Sequence, residues 1–219
     1  MELGRARCGV GRGWGRRWLG RIAYGAGLDE QAAARARVMG GGPDELLLLE
    51  HESVVTLGRR GGVVDEVALA RLRTPVVATD RGGLATWHGP GQLVAYPIFD
   101  LRRRGVGVPA FVRALGRAMA QAAARFGVRA AYDDARPGVY VDGRKLGSLG
   151  LHVSHGVSTH GIALNVDCDL AGFQAIDPCG EAGLVITTLA RERPAGARAP
   201  ALAEVADAFE AGLRAALGG

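Results

Sequence analysis

The sequence predicts an α+β fold, a mixed β-sheet packed with helices. Three observations predict it: several apolar runs too short to be helices, two long segments with apolar residues at helical spacing, and a hairpin signature at Asp142-Gly143. A chain of 219 residues can bury a substantial single core. Its 48% apolar and 22% charged content is that of an ordinary globular protein. The expected organisation is a flexible extension over residues 1–20, rich in Gly, Arg and Trp, followed by one domain over residues 21–219.

Glu30–Met39, a run of alanines and arginines, reads as a helix stopped by Gly40-Gly41-Gly42-Pro43. Leu46–Glu50 and Val54–Leu57 read as strands, and Gly58 breaks the second. Thr74–Thr79 is a further short strand leading into the loop Asp80-Arg81-Gly82-Gly83, and Gln92–Ile98 resumes as a strand. Pro109–Phe126 is an amphipathic helix with Phe111, Leu115, Met119 and Ala122 on one face, Pro109 in its first turn and Gly127 at its end. Gly138–Leu151 reads as a hairpin folded at Asp142-Gly143. Gly161–Val166 is a strand, and Leu202–Leu217 is a second amphipathic helix with Leu202, Val205, Phe209, Leu213 and Leu217 aligned. The glycine-rich stretches Arg81–Gly91 and Lys145–Gly161 are expected to be loops that line a site.

The longest aliphatic run is Leu46–Leu49, far short of a bilayer span, and no signal-peptide core follows the basic start. The expected location is the cytoplasm, with no membrane partner. A net charge of +5 suits acidic partners, but scattered arginines with few aromatics among them do not suggest nucleic acid. Cys8, Cys168 and Cys179 are too few and too scattered for a disulfide framework, so they are expected as free thiols.

Of 27 cationic side chains all but one are arginine; Lys145 is the single lysine. Arginine is always charged, whereas lysine can release its proton, so the exception points to an amine needed at that position. The alternative is one surviving surface lysine. Lys145 follows the hairpin turn, and strict alternation puts it on one face with Gly147, Leu149 and Leu151. Cys179 sits in Asp177-Pro178-Cys179-Gly180, a turn from which a thiol can be approached. Cys168 lies between Asp167 and Asp169, whose charges oppose its ionisation. An ammonium beside a thiol enlarges its thiolate fraction, and the same amine can later deprotonate an incoming nucleophile. Cys179 and Lys145 are therefore the candidate catalytic pair.

His88, beside Gly89-Pro90-Gly91, and His160, before Gly161, are either substrate-orienting or structural. His152, His155 and His160 match no zinc spacing, so no metal is expected. Lys145 is followed by leucine, so there is no phosphate-loop signature, and no cofactor is expected.

The run Arg81-Gly82-Gly83-Leu84-Ala85-Thr86-Trp87-His88-Gly89-Pro90-Gly91-Gln92-Leu93-Val94-Ala95-Tyr96-Pro97 resembles the signature of the octanoyl-acyl-carrier-protein:protein octanoyltransferase family of lipoate biosynthesis. Thr56-Leu57-Gly58-Arg59, Lys145-Leu146-Gly147-Ser148-Leu149-Gly150, Thr159-His160-Gly161-Ile162-Ala163-Leu164-Asn165-Val166 and Pro178-Cys179-Gly180 match its other blocks in order. The resemblance runs from about Leu28 to the C-terminus. It implies a fold like that of the lipoate and biotin protein ligases, and octanoyl transfer from acyl carrier protein to a lysine of a lipoyl domain. The acceptors would be 2-oxoacid dehydrogenases and the glycine cleavage H protein. It carries over Cys179 as the acyl-thioester nucleophile and Lys145 as the residue that lowers its pKa. It places Arg81 to His88, Ser148, Leu149, Gly150, His160, Gly161, Ile162 and Ala163 around the acyl group. It implies an enzyme that needs neither metal nor ATP, and a monomer is expected. The rivals are an ATP-dependent lipoate protein ligase on the same fold and a non-catalytic acyl- or lipoyl-domain-binding protein.

Overall fold

The computed structural model describes residues 13–177 and 183–218. Strand β1 (Trp14–Ile22) is followed by helix α1 (Tyr24–Met39), strands β2 (Asp44–His51) and β3 (Val54–Leu57), and helix α2 (Glu66–Arg71). Then come strands β4 (Val76–Ala78), β5 (Ala85–His88) and β6 (Gln92–Ile98), and helices α3 (Leu101–Arg104) and α4 (Val108–Arg125). Strands β7 (Ala131–Asp133), β8 (Gly138–Val141), β9 (Arg144–Ser154) and β10 (Val157–Asn165) precede helices α5 (Ala171–Gln174), α6 (Leu189–Glu192) and α7 (Leu202–Leu217).

Seven strands form one sheet in the order β1-β2-β6-β10-β9-β8-β7, and β4-β3-β5 form a second. β1 pairs parallel with β2, and the other neighbours of the large sheet are antiparallel, so the sheet is mixed. The four leucines of β2 show how it is covered. Successive side chains of a strand point to opposite faces. Leu46 and Leu48 enter the cluster formed with α4 and α7, and Leu47 and Leu49 enter the one beneath α1. A strand buried on both faces has no polar alternation, hence the unbroken aliphatic run. The α4 stripe Phe111, Leu115, Met119 and Ala122 is fully buried, as are Val205, Phe209 and Leu213 of α7. The small sheet packs Val55, Ala85 and Trp87 against Leu69 of α2 and Phe173 of α5.

The hairpin between β8 and β9 turns at Asp142 and Gly143, with φ of 44° and 80°. Two positive φ values are what the favoured two-residue turn requires. The same device, His155 at 55° and Gly156 at 88°, joins β9 to β10, so Lys145–Gly161 is a second hairpin and not a loop. Arg81–Gly91 likewise contains strand β5.

The expected extension does not reach residue 20. Trp14–Ile22 is an edge strand, and Trp14 is buried against Phe99. Only one of its nine residues is buried, so no apolar period marked it. Its arginines are neutralised from elsewhere: Arg16 by Asp207, Arg17 by Glu30 and Arg21 by Glu50. The arginines of this strand are thus tied by ion pairs to carboxylates elsewhere in the fold. Residues 1–12, with Cys8, lie outside the described residues. No helix among the described residues is long and apolar enough to cross a membrane.

Candidate active site

A cavity of about 430 Å³ opens between the two sheets and the start of α4. That is within the ~300–1,000 Å³ usual for small-ligand sites. Lys145 lines it together with Arg81–Thr86, His88, Ser148, Leu149, Gly150 and His160–Ala163. Of the residues expected around an acyl group, only Trp87 is elsewhere: it lies under the small sheet with its ring 5.4 Å from Phe173. The β5 alternation that turns Thr86 and His88 to the cavity turns Trp87 away from it. Cavity residues that the sequence reading did not single out for the site are Tyr24, Arg60, Tyr96, Val108, Val112, Arg136 and Tyr140, contributed by six separate segments.

Lys145 reaches the cavity because β9 is irregular. The register with β8 shifts between Val139 and Tyr140, leaving Leu146 as an extra residue. Leu146 is fully buried in the α4 cluster. Gly147 faces the same way, since a Cβ there would lie 3.1 Å from Met119 Sδ. Lys145, Ser148 and Gly150 are therefore on the opposite, cavity side, and the expected shared face of Lys145, Gly147, Leu149 and Leu151 is corrected. A bulge re-aims a side chain in this way. Gly138 makes room for the amine: a Cβ on it would stand 3.3 Å from Lys145 Nζ. The ammonium lies 5.5 Å from the Tyr140 ring centroid, and Lys145 is only 3% exposed.

The backbone of Lys145 is clamped. Its N–H donates to Val185 O at 2.8 Å, and its carbonyl accepts from Thr187 N–H at 2.9 Å. Thr187 is held in turn: its carbonyl accepts from Asn165 Nδ2 at 3.0 Å and its hydroxyl donates to Glu192 at 2.7 Å. Asn165 Oδ1 accepts from Gln92 Nε2 at 2.8 Å, and Gln92 Oε1 accepts from His88 Nδ1 at 2.7 Å. A buried, fully paired chain of hydrogen bonds thus joins one wall of the cavity to the lysine on the other.

Rings without charge form much of the wall. Tyr24 stacks on His88 at 6.3 Å, and Tyr96 meets His160 edge-on at 6.2 Å. His51 Nδ1 donates to Ile22 O, so its Nε2 accepts from the Tyr96 hydroxyl at 2.7 Å. Burial pushes His51 down to about 4 and His88 to about 3, and lifts Tyr24 to about 12. All are neutral at pH 7. His160 is also held below its usual range by burial, although its Nε2 donates to Asp80 at 2.7 Å. Its φ of 56° is a left-handed conformation inside a strand, costing on the order of 1 kcal/mol. The conformation lets its N–H reach Gln31 Oε1 at 2.6 Å. Arg81 is the cation in this wall, with Nε and Nη2 donating to Thr56 and Nη1 to Gly82 O. Glycine matters most at two points, Gly161 and Gly150, where an added Cβ would meet Ala95 O at 2.1 Å and Gly82 O at 2.8 Å.

The histidines set a pH dependence. In the unfolded chain each takes a proton near pH 6.5, but in the fold His51 and His88 stay neutral down to about 4 and about 3. The unfolded state therefore binds more protons below pH 6.5, and stability falls as pH falls, by up to about 1.4 kcal/mol per unit for each histidine. Chemical denaturation between pH 7 and 5, above the carboxylate range, should show this loss. A flat profile there would show that these rings are not held neutral.

Cys168 is the described thiol. It is buried beside Trp87 and Phe173, and burial, more than its aspartate neighbours, lifts it to about 12. Cys179 falls outside the described residues. The described chain stops at Asp177, whose N–H donates to Val63 O at 3.1 Å, and resumes at Gly183 just before Val185–Thr187 reach Lys145. No cluster of potential metal ligands occurs among the described residues.

Residues 24–214 match the lipoyl protein ligase A/B catalytic domain family. An octanoyltransferase of Thiobacillus denitrificans is 48% identical over 171 residues, 78% of each chain. The solved structure of a lipoate-protein ligase A bound with ATP shares the fold at TM-score 0.72 and 16% identity, over 94% of this chain and 85% of that one. A biotin protein ligase of Aquifex aeolicus shares it at TM-score 0.52 and 13% identity, over 93% and 68%.

Proposed function

The chain belongs to the octanoyltransferase family, within the lipoyl protein ligase A/B catalytic domain family, and from that premise we propose its mechanism and substrates. It takes an octanoyl group from the thioester of an acyl carrier protein and passes it to a lysine amine of a lipoyl domain. Cys179 carries the acyl group between the two. Lys145 takes the thiol proton and returns it to the departing carrier thiol. The lipoyl lysine then attacks the acyl-enzyme carbonyl, Lys145 accepts the proton it sheds, and the Cys179 sulfur leaves and is reprotonated.

The observation that carries this reading is the clamp on Lys145. Val185, whose carbonyl holds the Lys145 N–H, lies six residues after Cys179, and Asp177 lies two before it. Described residues a few positions after Cys179 in the sequence are thus hydrogen-bonded to Lys145, which supports a place for the thiol beside it. The cavity suits the acyl chain. Neutral rings, the small residues Ser148 and Gly150, and Leu149 offer an uncharged slot, and burying eight carbons there gains on the order of 5 kcal/mol at about 0.8 per methylene.

Mixing the protein with octanoyl carrier protein and a lipoyl domain, without ATP, should yield octanoylated lipoyl lysine. Transfer only from free octanoate with ATP and magnesium would instead establish the ligase reaction. The likeness to an ATP-bound ligase, at 16% identity, speaks to fold alone.

A further inference from the structure

We propose that the turn Gly58–Gly61, through Arg59 and Arg60, binds the phosphodiester of the pantetheine-type arm that delivers the acyl thioester to the cavity. The proposal rests on the reading above, that the donor is a carrier-bound thioester. Arg60 lines the same cavity as Lys145, yet both Arg59 and Arg60 are exposed. Arg60 thus stands at the mouth, with Arg59 next to it in the chain, and Arg136 also lines the cavity from an exposed position.

The turn is rigidly placed. Gly58 N–H donates to Leu84 O, Arg59 N–H to Arg81 O at 2.9 Å and Arg60 N–H to Gly83 O at 3.2 Å. The turn is thereby fastened to the loop that forms the cavity wall. Several surface arginines are paired with carboxylates: Arg37 with Glu45, Arg144 with Glu192, Arg198 with Glu204, Arg214 with Glu210. The described residues supply no such carboxylate to Arg59 or Arg60. Two adjacent guanidinium forks on a fixed backbone form a preorganised anion receptor.

The occupant follows from the chemistry of the cavity. Its neutral rings, Tyr24, His88 and Tyr96, together with Leu149, Gly150 and Ile162, suit the uncharged acyl chain and the uncharged part of the arm. A pantetheine arm is uncharged from the thioester to the phosphate. With its thioester at Lys145, the arm runs out through the mouth and presents its phosphate on the side that Arg60 lines, with Arg59 its neighbour in the chain.

The test compares three octanoyl donors: the thioester of N-acetylcysteamine, which has no phosphate; that of free phosphopantetheine; and that of the carrier protein. In R59A/R60A the ratio of kcat/KM for the phosphopantetheine donor over the N-acetylcysteamine donor should fall about tenfold. R59K/R60K should keep most of it. A ratio unchanged in R59A/R60A overturns the proposal. So does a loss confined to the carrier-protein donor, which would assign these arginines to the carrier's acidic surface. Should the wild type accept octanoyl from none of the three, the parent reading fails and this one with it.

Discussion

Replacing Lys145 with arginine should lower turnover by about 100-fold or more, the usual range for loss of a positioned general base. The positive charge survives the change and the proton acceptor does not. A role confined to electrostatic support of the thiolate predicts a nearly normal enzyme. A role in proton transfer predicts that the two half-reactions respond differently. Acylation from the carrier should persist in part, while attack by the lipoyl lysine should nearly stop. Single-turnover release of carrier thiol, followed beside octanoyl-lysine formation, separates the two. The position is nearly buried, so a denaturation midpoint close to wild type must accompany the measurement. Full activity in a folded Lys145→Arg protein would remove the general-base role.

Cys179→Ser should be more damaging still, about 1,000-fold or more in turnover, because a hydroxyl stays protonated where the thiol ionises. Cys168→Ala serves as the comparison. Its thiol is buried in the small-sheet cluster, far from ionising, and its loss should leave turnover intact. Equal losses at the two positions would mean that neither thiol has the proposed chemical role.

Local patterns revealed the parts of the fold whose causes are local. The α4 and α7 stripes, the leucines of β2 and the Asp142-Gly143 turn all sat where spacing and turn chemistry placed them. Strand β1 was illegible because its ion-pair partners lie far away in sequence, such as Asp207 and Glu50, and because only one of its residues is buried. The β9–β10 hairpin was hidden by its glycines, several of which mark close backbone approaches inside strands.

The site divides the same way. The single lysine and the glycine-rich blocks pointed to residues that line one cavity. The orientation of Lys145 was misread, since alternation cannot foresee the bulge at Leu146. Trp87 was wrongly grouped with its neighbours, because a contiguous motif on a strand serves two faces. Tyr24 and Thr187 had no signal of their own, and Tyr96 only its place at the end of the resembling run: each becomes part of the site through a long-range contact, Tyr24 with His88, Tyr96 with His51, and Thr187 with Lys145.

The account stands on Cys179 as the acyl carrier within the enzyme. Incubating the protein with octanoyl carrier protein, with no lipoyl domain present, and mapping the product by peptide mass spectrometry tests this directly. The account predicts one octanoyl group, on the peptide containing Cys179, that is lost when a lipoyl domain is added. An octanoyl group on any other residue, or transfer to the lipoyl domain with no acylated enzyme at any time, would contradict it.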